Sequence, residues 1–176
     1  MKKYVIGYLI FLATVLILLA GCSSTAVEED NAKSSNDKDP HAYQAENGDL
    51  RELTSSAEEL PVFVHDKHEQ VQMIYGEAAK HQELLEWIPC YCGCAESGNH
   101  QNTYDCFVYE NRENGEVVWD DHGTKCGTCL DTAAESIQQY NEGKNVKEIR
   151  DYIDEKYKDG YAEPTPTPMP ETKLDL

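Results

Sequence analysis

The chain reads as an α+β protein: a small, mainly helical domain with a β-hairpin, preceded by a lipidated disordered tether. Three observations predict it. Apolar residues recur at helical spacing in three stretches, two β-branched and aromatic runs flank an Asn-Gly loop, and an acidic polar segment separates all of these from an apolar leader.

The leader comes first. Lys2 and Lys3 precede Val5 to Ala20, an uncharged apolar run short for a membrane span and suited to a signal-peptide core. It ends in Leu19-Ala20-Gly21-Cys22, which resembles a bacterial lipobox. Residues 1–21 are then a signal peptide, and Cys22 takes a diacylglyceryl thioether with fatty-acyl chains such as palmitate. The expected address is the cell membrane, lipid-anchored on the extracytoplasmic face.

The charge agrees with that address. Against 15 basic residues stand 33 acidic ones, and loss of Lys2 and Lys3 with the leader takes the net charge from −18 to −20. Nucleic acid is excluded as a partner, because phosphate contact needs Lys and Arg to release counterions. A basic face for anionic lipid is equally missing, so lipid must hold the protein to a membrane.

Residues 22–59 read as an acidic tether whose few large apolar side chains, Val27, Tyr43, Leu50 and Leu53, are too few to offset the entropy of ordering. Residues 60–162 form the cysteine-rich domain, and 163–176 a Pro/Thr-rich tail, extended because proline donates to neither helix nor ladder. Within the domain, Ile74, Ala78, His81, Leu85 and Ile88 predict a helix over about 66–88, stopped by Pro89. His81, on that apolar stripe, is expected to be a satisfied core histidine. Thr103 to Tyr109 and Glu116 to Asp120 predict the hairpin, with Asn114-Gly115 in its loop. A further helix spans about Cys126 to Tyr140, closed by Gly143. The last starts at Asn145, with Glu148 completing a capping box, and buries Val146, Ile149, Ile153 and Tyr157.

The chemistry lies in the cysteines. Pro89-Cys90-Tyr91-Cys92-Gly93-Cys94 is followed by His100, Cys106, His122 and Cys126-Gly127-Thr128-Cys129. As a turn at Gly93 the first three thiols converge, and Cys126 and Cys129 share a face at a helix start whose dipole favours thiolates. Cys90, Cys92, Cys94, Cys106, Cys126, Cys129 and His122 are therefore candidate metal ligands, with His100 as an additional one. Such a set suits copper before zinc, and not calcium or magnesium. Six domain cysteines outside the cytoplasm equally fit three disulfides and no metal, in 15 possible pairings, or thiol redox chemistry. One disulfide plus a four-ligand site satisfies both arguments. Asp120-Asp121 reads as a solvated turn. No spacing points to hydrolysis or group transfer, so an enzyme is not expected. The function that fits is a carrier, buffer or sensor of a soft metal, with a metal-transfer or redox partner. The alternatives are a thiol–disulfide exchange protein and a disulfide-stapled protein-binding module.

At Trp87-Ile88-Pro89-Cys90-Tyr91-Cys92-Gly93-Cys94, Asp105-Cys106-Phe107-Val108, Trp119-Asp120-Asp121-His122-Gly123 and Cys126-Gly127-Thr128-Cys129 the chain resembles the PCYCGC-motif bacterial lipoproteins. The resemblance extends over about residues 60–170 and implies no activity, since that family is defined by its motif. Residues 126–157 are also similar to the helical part of cytochrome c maturation proteins that carry a redox cysteine pair.

Overall fold

At the Asn114-Gly115 turn, Gly115 adopts φ +90°, a conformation that costs glycine nothing. The chain reverses there between strand β3 (Val108–Asn111) and strand β4 (Val117–Asp120), as the hairpin reading expects. This is a computed structural model that describes residues 41–93 and 95–170. The expected signal peptide, Cys22, the first half of the expected tether (22–40), Cys94 and the end of the tail (171–176) lie outside the described residues. Among the described residues, no helix is long and apolar enough to cross a membrane.

The hairpin belongs to a larger sheet. Strands β1 (Ala42–Gln44) and β2 (Leu50–Thr54) extend it to an antiparallel order β1-β2-β4-β3. The boundary expected at residue 60 therefore falls inside the folded unit, and the end of the expected tether is sheet. Its few apolar side chains misled because the strand is anchored by polar pairs. Trp119 Nε1 donates to Thr54 Oγ1 at 2.8 Å, Arg51 Nε to Asp120 Oδ2 at 3.0 Å, and the backbone N–H of Val62 to Glu52 Oε1 at 2.6 Å. Residues 103–106 also differ from the expected strand: Tyr104–Cys106 is a turn of 3-10 helix.

The long helix expected over 66–88 is interrupted. Helix α1 (Glu69–Lys80) ends at His81, whose ψ of 36° leaves the helical region, and α2 (Gln82–Leu85) follows. His81 Nδ1 donates to Glu77 O at 2.7 Å and its ring meets Tyr140 edge-on, so it is a satisfied, half-buried histidine. After the short α3 (Ala95–Gly98), helices α4 (Gly127–Asn141) and α5 (Val146–Lys156) stand where the periodicity puts them. The Asn145/Glu148 capping box is formed, and Val146, Ile149, Ile153 and Tyr157 are all buried.

Helix α4 packs against both α1 and α5, and the core between helices and sheet holds Tyr75, Leu85, Phe107, Trp119 and Ile149. Tyr75 ties the layers together. Its hydroxyl donates to Asp120 O at 2.9 Å and accepts from the Thr124 N–H at 3.1 Å. This pins the 3-10 turn Asp121–Lys125 against α1.

Within that turn Gly123 touches the core closely: a Cβ there would lie 2.8 Å from Phe107 Cε1 and 3.0 Å from Cys106 O. Phe107 is fully buried and the other neighbour is backbone, so neither can yield cheaply. Gly123→Ala is expected to lose about 1–3 kcal/mol through overpacking, seen as a lower urea midpoint at unchanged slope.

Candidate metal centre

The loop carrying the cysteines is held from all sides before its sulfurs are considered. Thr103 donates twice, from N–H to Ile88 O at 2.8 Å and from Oγ1 to Pro89 O at 3.0 Å. On the other side runs the C-terminal tail, extended as expected but packed as a strap. The Cys90 N–H donates to Thr165 Oγ1 at 2.9 Å, and the Thr165 N–H donates back to Cys90 O at 3.0 Å. Tyr91 stacks on Tyr157 and its hydroxyl donates to Asp154 Oδ1 at 2.6 Å. Gly93 then turns the chain at φ +81°.

In this frame the sulfur atoms of Cys90, Cys92 and Cys129 lie within 4.8 Å of one another, an arrangement that could hold a metal ion. Cys90 Sγ is 3.2 Å from Cys92 Sγ and 3.4 Å from Cys129 Sγ. Cys90 and Cys129 are buried and Cys92 is half-buried. Cys129 reaches the cluster from the first turn of α4. Cys126, which the spacing pairs with it, is a half-buried thiol at the N-cap and does not join the group. Cys106, fully buried, borders the cluster without completing it.

The thiols are unequal. Hydrogen bonds from Cys106 and Cys129 hold Cys90 well below the ordinary thiol range. Its hydrogen bonds with Cys129 and Cys90, together with burial, push Cys106 well above that range. The cluster therefore favours one thiolate, centred on Cys90 and solvated by neighbouring S–H groups. Cys92 is disulfide-bonded, whereas Cys90, Cys106, Cys126 and Cys129 are free thiols, so its partner lies outside the described residues.

The two histidines of interest sit beside this cluster in surroundings of their own. Cys106 Sγ is 3.4 Å from His100 Nδ1, and the rings of His100 and His122 meet edge-to-face at 4.5 Å. Burial, with His122 nearby, pushes His100 down to about 4 and keeps its imidazole neutral at physiological pH. The carboxylate holding His122 Nδ1 is that of Asp49, at 3.1 Å, while Asp120 accepts from the His122 backbone N–H at 2.9 Å. Asp120 is 1% exposed, so the solvated turn expected for Asp120-Asp121 is wrong at its first residue. Burial raises the Asp120 carboxyl despite Arg51 beside it.

Sequence reasoning missed Asp49 and Thr165, because one lay in the presumed tether and the other in the presumed free tail. Neither carries a local signal; the double-Asp before His122 was the one visible pointer to carboxylates here.

A family model described as a protein of unknown function with PCYCGC motif matches residues 10–170. No curated protein and no solved structure matches the chain.

Proposed function

This chain belongs to the PCYCGC-motif family, and we propose that it is a lipid-anchored protein that carries, buffers or senses a soft metal ion. The observation that carries this reading is the convergence of the Cys90, Cys92 and Cys129 sulfurs in one largely buried spot. Thiolates select Cu(I) or Zn(II) over oxygen-loving cations. Copper is preferred because structural zinc takes a tetrahedral four, whereas this described group supplies three sulfurs. The lipobox at Cys22 supports attachment at the extracytoplasmic face, and the acidic residues after it raise the local concentration of cations.

The test is metal retention. The chain is reduced with a dithiol under argon, which adds two electrons and two protons to the Cys92 disulfide and frees its sulfur. It is then loaded with Cu(I) or Zn(II) and desalted. Stoichiometric copper that displaces zinc, with ultraviolet sulfur-to-copper charge transfer, is expected. Retention of neither metal by the reduced chain overturns the proposal.

One observation favours a second reading. The Cys90 sulfur, held well below the ordinary thiol range by its hydrogen bonds, lies 3.2 Å from a sulfur already in a disulfide. Attack of that thiolate on Cys92 would transfer the bond and release the original partner as a thiolate, the elementary step of thiol–disulfide exchange. A reduction potential in the range of exchange proteins, together with no retained metal, selects this reading over the first.

A further inference from the structure

We infer that the chain has a second metal site, independent of the thiolate cluster, formed by Asp49, His100, Asp120 and His122 and suited to a borderline divalent cation such as Zn(II) or Co(II). Each of the four residues brings one ligand atom to within 4.8 Å of the others. Asp49, His100 and Asp120 are buried, and His122 half-buried. Asp49 comes from the approach to β2, His100 from the loop before the 3-10 turn at Tyr104, Asp120 from the end of β4 and His122 from the 3-10 turn that follows it, so distant parts of the chain meet at one point.

The donor set chooses the ion. Imidazole nitrogen with carboxylate oxygen suits borderline divalent metals, and lacks the sulfur that Cu(I) seeks. An outer contact of the kind that orients a metal-binding histidine is present at His100. Cys106 Sγ lies 3.4 Å from His100 Nδ1, which directs the opposite nitrogen, Nε2, to serve as ligand. His122 Nδ1 instead faces Asp49, a ligand of the same group, at 3.1 Å. An open cavity of about 740 Å³, lined by Arg51, Gly98, His100 and Tyr109 among others, reaches His100 from solvent and supplies an entry path.

The charges are arranged for exchange. Lys125 Nζ contacts Asp49 Oδ1 at 2.9 Å and Asp121 Oδ1 at 2.7 Å. Its side chain is 46% exposed while that of Asp49 is 7% exposed. The ammonium is thus a half-exposed counter-cation for a buried carboxylate. When a divalent ion takes Asp49, Lys125 keeps Asp121 and returns to solvent. Arg51 stays on Asp120 Oδ2 and the His122 N–H on Oδ1, and each oxygen keeps a further lone pair to offer. A purely structural ion-pair network would need Lys125; a metal site competes with it.

That opposition is the test. The full chain is titrated with Co(II) at neutral pH, and thiolate binding is followed by sulfur-to-cobalt charge transfer, separately from total bound metal. Beside any ion on the thiolates, which gives the sulfur band, the wild type is expected to bind one that gives ligand-field absorption and adds nothing to that band. His122→Gln and Asp49→Asn should weaken that ion roughly 10-fold or more while leaving the sulfur band unchanged. Lys125→Met should bind it more tightly. If neither carboxylate nor histidine substitution alters the sulfur-free binding, or if Lys125→Met weakens it, the site is overturned. Lys125→Met, at a half-exposed position, remains decisive even where the buried substitutions fail to fold. Failure of the thiolate reading would show instead as loss of the sulfur band in the wild type.

Discussion

Cys129→Ser is expected to weaken soft-metal binding by roughly 100-fold or more, beyond the 10- to 100-fold that even outer contacts of a metal site command. The serine keeps the shape but replaces a polarisable sulfur by a hard oxygen with no affinity for Cu(I). Cys126→Ser, three residues earlier, is expected to leave binding intact. Cys126 is the N-cap of α4, in extended conformation with no side-chain cap bond. A serine there supplies the missing acceptor and should stabilise the fold by about 0.5–1 kcal/mol. The pair makes a sharp comparison, because in the Cys-Gly-Thr-Cys sequence the two thiols look interchangeable. Competition of each variant against a Cu(I) chelator, with thermal melts alongside, measures both effects. Equal loss in the two would mean that the metal sits over the helix start and not over Cys90.

Much of this arrangement is legible in local sequence, and the illegible part has a common cause. Helix α5 could be read because its stripe Val146, Ile149, Ile153 and the Asn145/Glu148 box are short-range signals that burial then reinforces. The meeting of cysteines could be read only in part: Cys90 and Cys92 do come together, but Cys129 joins them without its neighbour Cys126, and Cys94, on which the expected turn at Gly93 bears, lies outside the described residues. Strand β2 could not. Glu52, 5% exposed, is buried because it accepts from the Val62 N–H, and Arg51 is half-buried because it meets Asp120, 69 positions away. Such residues look solvated until their partners are known. The same holds for Asp49, which belongs with His122 across 73 positions. The Pro-Thr-Pro-Thr-Pro tail hides its role in another way. Its prolines carry no donors, but Thr165 and Thr167 are buried and supply the hydroxyls, and Thr165 the N–H, that bind Cys90 and Gln101. The alternation that reads as low complexity is therefore a strap with its polar contacts at every second residue.

Arg150→Met should loosen both that strap and the cysteine loop. Arg150 is 6% exposed. Its Nη1 donates to Trp87 O at 3.0 Å, just before the Pro-Cys motif, and to Pro168 O at 2.9 Å in the tail. Its Nε donates to both oxygens of Asp154, at 2.8 and 3.0 Å, and Asp154 in turn accepts from Tyr91. One guanidinium thus joins α5, the approach to Cys90 and the chain end. Methionine fills most of the volume but donates nothing, so the carbonyls of Trp87, Thr167 and Pro168 and the Asp154 carboxylate lose a donor together. Asp154 is one-third exposed and recovers part of its loss from water, which limits the cost to about 3 kcal/mol rather than the upper value for a fully buried pair. For a chain of this size that is a fall of roughly 6–12 °C in melting temperature. Arg150→Lys should restore little, because an ammonium cannot span the same fork of acceptors. Metal loading distinguishes a local from a global effect: bound ion should return part of the lost stability in Arg150→Met, since a ligand that binds only the ordered loop shifts the equilibrium toward it. A variant that melts as the wild type does, or that gains nothing from metal, would show that the strap is not what holds the cysteines in place.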